Sequence, residues 1–120
     1  MLVELLASAA LQAGLTPLPA HELAGLLDGV RMDVGEMVLV SGGQYFHADG
    51  AYVVPGRVLR QGSWRAEDGR LCHRFRDGAD ETCMIVLTDG RGGFFSAESE
   101  VAVLEGRIDP IRFVPQLTAR

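Results

Sequence analysis

A mainly β fold, an antiparallel meander closing into a small barrel of about eight strands, is the class that this 120-residue sequence predicts. Three observations predict it. Five of the fifteen glycines follow an aspartate, at Gly29, Gly50, Gly69, Gly78 and Gly90. Asp-Gly between β-prone runs is a strong hairpin signal, because the turn needs backbone conformations that glycine tolerates best. The runs between these turns are short, alternating, and rich in β-branched and aromatic residues. The two cysteines, Cys72 and Cys83, lie on either side of Asp77-Gly78 at matching hairpin distances. A chain of this length makes one domain with a real core.

In chain order, residues 1–13 (MLVELLASAALQA) are apolar and end in an A-x-A-like pattern. They read as a shortened secretory signal, although Glu4 interrupts the apolar stretch, or as an amphipathic helix covering the barrel; the stretch is too short to span a membrane. Residues 14–20 form a Gly/Pro linker, and the barrel domain runs over 14–120. Residues 20–27 predict a two-turn helix, with Pro19 in its first turn and Asp28-Gly29 as its stop. Leu23, Leu26 and Leu27 give it an apolar face suited to plugging one barrel end, with His21 on its polar side. Strands follow from residue 30 onward: 30–34, 36–40, 44–47 and 51–54. A meander over 57–65, 70–76 and 81–87 comes next, then 94–97, 100–107 and a short edge strand at 111–114.

The cysteines test the meander. A turn centred between Asp77 and Gly78 sets Cys72 opposite Cys83, Leu71 opposite Met84, and Arg74 opposite Glu81. A four-residue loop over 76–79 would make the cysteines a close, non-hydrogen-bonded pair of the kind a cross-strand disulfide favours. A metal site from Cys72, His73 and Cys83 is the rival reading. It lacks a CxxC pair, and His73 points to the opposite face from Cys72. Buried free thiols are the third. The disulfide is preferred.

The formal net charge of −5 argues against a nucleic-acid partner, which needs a basic stripe. Catalytic signals are missing. Gly62-Ser63-Trp64 is not a nucleophile elbow, Gly90-Arg91-Gly92-Gly93 lacks the full phosphate-binding pattern, and His21, His47 and His73 are scattered. No cofactor and no metal are expected, and an enzyme is the least favoured reading. Trp64, with Phe46, Tyr52, Phe75 and Phe94, is the best candidate for lining a ligand site; Phe95 and Phe113 are assigned to the same interior. A packed core is the competing assignment for all of them. Loops carrying Asp77, Asp80 and Glu81, and Asp89 and Arg91, are candidates for meeting a partner protein.

Asp49-Gly50, Gly62, Trp64, Asp68-Gly69-Arg70-Leu71-Cys72 and Cys83, preceded by Gln44-Tyr45-Phe46, form a pattern. It resembles small bacterial envelope proteins of calycin-like barrel shape, many of them of unknown function. The resemblance covers roughly residues 27–103. It implies export, a Cys72–Cys83 disulfide and a β-barrel, but no activity. Lipocalins proper carry their G-x-W near the first strand, whereas here it lies mid-chain. The expectation is a non-catalytic periplasmic or secreted barrel binding a partner protein or a small apolar ligand. The alternatives are an inhibitor of a cell-wall hydrolase acting through acidic loops and, last, an enzyme. A retained N-terminus with free thiols would instead mean a cytoplasmic domain.

Overall fold

Eight short strands, each paired with its neighbour in sequence, close on themselves as an antiparallel up-and-down barrel. The computed structural model describes residues 14–34, 44–47, 49–55, 59–78 and 80–115. The apolar segment 1–13 and the strand expected at 36–40 lie outside these. Ahead of the ring come a two-residue strand, β1 (Thr16–Pro17), and helix α1 (Ala20–Leu26). The ring itself runs β2 (Val30–Val34), β3 (Gln44–Phe46), β4 (Ala51–Val54), β5 (Arg60–Glu67), β6 (Arg70–Phe75), β7 (Thr82–Thr88), β8 (Phe94–Ala97) and β9 (Asp109–Pro115). A second helix, α2 (Glu100–Leu104), lies between β8 and β9.

The segment expected as a short edge strand is β9, and it has no free edge. Ile111 pairs with Phe94 of β8 on one side and with Val34 of β2 on the other, so β9 closes the ring. The Gly/Pro linker also does more than connect. At the point where β6 stops pairing with β7, β1 takes its place, with Thr16 opposite Thr88 and Pro17 opposite Leu87. Leu18 N–H donates to Val86 O (3.1 Å), and Gly69 N–H donates to Leu18 O (2.7 Å). Asp68-Gly69 is the tight two-residue turn expected, with Gly69 at φ 72°. Its Asp68 also caps α1. Pro19, which stands at the N-cap rather than inside the first turn, has no side-chain acceptor to offer, and Asp68 Oδ1 accepts from Ala20 N–H at 2.8 Å. Asp77-Gly78 behaves differently. The strands end at Phe75 and resume at Thr82, and Gly78 keeps out of the left-handed region. The expected cysteine register holds despite this wider loop.

Among the described residues, the one element of the wrong type is the strand expected at 100–107, which is α2. Its VAV core reads as strand, but the local capping decides otherwise. Ser99 Oγ accepts from Ala102 N–H (3.2 Å) at the start. At the end Gly106 is left-handed (φ 76°), Arg107 N–H reaches Ala102 O (2.8 Å) and Gly106 N–H reaches Val103 O (3.1 Å). That is a Schellman closure.

Side chains alternate between two cores. Inside the barrel are Val30, Met32, Phe46, Tyr52, Leu71, Val86 and Ile111, with Leu18, Leu23 and Leu27 sealing one end. This is the plug expected of α1. Outside it, Ile85 and Leu87 of β7, Ala97 and Phe95 of β8 and Leu15 pack under Ala102 and Val103 of α2. Phe95 was expected in the interior. It cannot be there, because it follows Phe94 on one strand and adjacent strand residues face opposite ways. Ion pairs fasten the outer surface: Arg70 to Glu100 ties α2 to β6, and Arg31 grips the buried Asp33 through two 3.0 Å bonds. Among the described residues no helix is long and apolar enough to cross a membrane.

Candidate functional site

Six of the seven aromatic residues expected to line the interior do face into the barrel. Phe46 meets Tyr52 (ring centroids 5.0 Å) and Trp64 (6.1 Å), and Tyr52 meets Phe75 (5.5 Å); Phe94 meets Phe113 (5.2 Å) farther round. These rings fill the interior with one another. Phe46 and Tyr52 are 1% and 2% exposed, so at their level protein occupies the space a lumen ligand would need. Burial also pushes the Tyr52 phenol up to about 12, and its hydroxyl donates to Gln44 Oε1 at 2.5 Å. His73 lies on the face opposite Cys72, as its register predicts; that face is the barrel interior, where it stacks on Tyr52 at 4.5 Å. Desolvation by burial, with the Arg60 charge second, holds its imidazole below the usual value. Arg60 itself lies over the Phe75 ring, 3.6 Å from the centroid. His21 and His47 are exposed and on other elements.

An opening suited to an apolar ligand lies instead at the plugged end. A cleft of about 430 Å³ runs between α1 and the loop joining β7 to β8. Leu18, Leu26 and Phe94 supply its apolar floor, Gly25, Gly90 and Gly92 leave it room, and Glu22 stands at its rim. Any Cβ added at these three glycines would find no heavy atom within 4 Å, so the space is open solvent-side volume rather than a packing requirement. The cleft wall is held in shape by its own side chains. Asp89 Oδ1 accepts from Arg91 N–H (2.7 Å) and Gly93 N–H (2.9 Å). Thr88 Oγ1 donates to Gly93 O and accepts from Gly90 N–H. Those backbone bonds hold the Asp89 carboxylate below the usual range. A groove of similar size on the outer face crosses Ala51, Ser63 and Arg74, but exposed polar side chains and backbone line it.

Three of the four carboxylates on the candidate partner loops are engaged by neighbouring groups. Asp89 turns into its own loop and leaves Arg91 exposed there. Glu81, expected opposite Arg74, is held by Arg65 from two strands away, Nε to Oε2 at 2.8 Å and Nη2 to Oε1 at 2.6 Å. That pair lowers the Glu81 carboxyl. Asp77 pairs with Arg60 at 3.3 Å, and Asp80 is exposed. Cys72 and Cys83 form the expected disulfide on the barrel's outer face, with Cα atoms 4.0 Å apart.

Sequence reading missed Leu18, Gly25, Thr88, Gly90 and Gly92 as site residues. The available signal was the pairing of a glycine within an otherwise apolar helix with a glycine-rich loop, two features that mark where backbone is kept bare. No known protein family, no curated protein and no solved structure matches this chain.

Proposed function

We propose that this chain is a non-catalytic binding barrel of an oxidising compartment, periplasmic or secreted, that takes a small apolar ligand at its plugged end. The observation that carries the reading is the cleft between α1 and the β7–β8 loop, whose floor is apolar and whose wall is braced before any ligand arrives. A preformed wall lowers the ordering cost of binding. A volume near 430 Å³ suits a ligand at the small end of the usual range. The disulfide supports the compartment, since such bonds persist where thiols are oxidised. Glu22 at the rim favours ligands that are neutral or cationic at their exposed end.

The test is Gly25→Leu, assayed with neutral Nile red as the fluorescent apolar probe. Leucine at this exposed helical position fills the cleft while raising helix propensity by about 0.8 kcal/mol. The expected result is a variant at least as stable as the parent that binds the probe about tenfold more weakly or worse. Unchanged probe affinity in a stable variant overturns the proposal.

A further inference from the structure

The outer face that carries the disulfide holds a second site, which shares no residue with the cleft. Cys72, Cys83 and Glu81 share the outer surface of β6 and the segment entering β7. One ligand atom from each lies within 4.8 Å of the others. Sequence reading offered His73 as the third member, but His73 points into the barrel. Glu81, two residues before Cys83 on the same face, stands in its place, with Oε1 4.0 Å from Cys83 Sγ. We infer that reduction of the Cys72–Cys83 disulfide converts this face into a binding site for a thiophilic divalent cation, zinc being the ion that fits.

The geometry supports a tetrahedral ion. With Zn–S near 2.3 Å and Zn–O near 2.1 Å, two thiolates on one zinc stand about 3.8 Å apart and a carboxylate oxygen about 3.6 Å from each sulfur. The Glu81–Cys83 separation is already close to that value. The β6–β7 ladder holds the two cysteine Cα atoms 4.0 Å apart, so rotation about the side-chain bonds is enough to part the sulfurs. Cys72 itself is buried, so water for the fourth position enters from the side of Glu81 and Cys83, which keep part of their surface exposed. The steps balance. A dithiol protein, or a phosphine in the test tube, gives two electrons to the S–S bond and is itself oxidised. The two sulfurs become thiols with two protons from water, and zinc binding releases both protons as the thiolates form. Two thiolates and one carboxylate then face one zinc, a net charge of −1 at the ion, while the Arg65 guanidinium is left to its other partner, Glu67.

Arg65 also sets the regulation. In the disulfide form it holds Glu81 in a two-pronged pair and bonds Glu67 as well. A metal must draw Glu81 away, leaving Arg65 on Glu67. Removing each partner should therefore shift affinity in opposite directions. The experiment is cobalt and zinc titration of phosphine-reduced protein, following thiolate-to-cobalt charge-transfer absorption and zinc competition, with near-ultraviolet circular dichroism of Trp64 to follow the fold. One cobalt per reduced chain, none on the disulfide form, about tenfold weaker binding in Glu81→Gln and tighter binding in Arg65→Gln are expected. Absence of the charge-transfer band, loss of the fold on reduction, or equal affinity in Glu81→Gln overturns the inference. None of these outcomes depends on the apolar cleft, which Nile red reports separately.

Discussion

Gly62 is where barrel closure is most exposed to a single methyl group. A Cβ placed on it would lie 2.1 Å from Arg74 O and 2.8 Å from Phe75 Cα, both backbone atoms of the neighbouring strand. Neither can rotate away, so β5 must move off β6 by about 1 Å to restore ordinary contact. That displacement carries local ladder bonds such as Arg76 N–H to Gln61 O, now 2.9 Å, past the useful range. Overpacking of this kind costs about 1–3 kcal/mol, and each hydrogen bond lost adds about 1 kcal/mol. Gly62→Ala is therefore expected to destabilise by about 3 kcal/mol, a fall in Tm of about 10 °C for a domain of this size. Because Gly62 does not use the left-handed region, backbone strain contributes nothing and the cost is steric. The assay is urea unfolding followed by Trp64, the single tryptophan, which sits two residues away in the core. Gly78→Ala is the control: the nearest atoms to its added Cβ are at 3.7 Å, so it should be neutral or slightly stabilising. If Gly62→Ala unfolds within about 0.5 kcal/mol of the parent while Gly78→Ala does the same, the close approach of β5 and β6 is not what makes glycine necessary here.

Replacing both Cys72 and Cys83 by alanine opens a loop whose ends are 11 residues apart, and should lower stability by about 3 kcal/mol while leaving the barrel folded; calorimetry with and without reductant checks it. Tyr52 keeps its phenolic proton up to about 12 when folded, against an ordinary 10.0. The stabilisation is therefore complete below pH 10 and is lost as pH climbs toward 12; alkaline tyrosinate absorbance should lose its late phase in Tyr52→Phe. His73 has the opposite sense. Its folded value lies below 6.5, so stability is intact above that pH and falls as pH drops through it, a slope that His73→Gln should flatten in acid unfolding curves.

Much of this architecture was legible because an up-and-down barrel is built from local hairpins. Residues 30–34, 51–54 and 94–97 were bounded correctly, since alternation and flanking turns are both nearest-neighbour information. The Cys72–Cys83 pairing followed from counting outward from one turn, and it survived although the strands part at Phe75 and Thr82, wider than the four-residue loop expected over 76–79. What failed was of two kinds. At residues 100–104 the VAV run outweighed a capping serine and a closing glycine, although those two residues were the stronger local statement. At Phe95 the assignment depended on side-chain direction, and parity along β8 sends it outward. The cleft was least legible, because Leu18 to Leu26 and Thr88 to Phe94 are far apart in sequence and none of these residues has distinctive chemistry.

The turn Asp68-Gly69 links the fold to the proposed site. Every ring strand pairs with its sequence neighbour, and two of the contacts that bring distant chain together matter most here: β9 on β2, and the segment from β1 to α1 against the β5–β6 turn. The first closes the barrel and the second shuts one end of it. Asp68 holds the first N–H of α1, Gly69 lies so close to Pro17 that a Cβ would come within 2.9 Å of its side chain, and Leu18 exchanges backbone bonds with Gly69 and Val86. One hairpin turn thus fixes both the start of the plug helix and the floor residue Leu18. The cleft wall, braced by Asp89 and Thr88, belongs to the neighbouring hairpin at the same end of the barrel. A binding surface assembled from a plug and a turn in this way leaves the aromatic core free to be fully packed. That division explains how a chain this small can keep a filled interior and still present a preformed apolar opening.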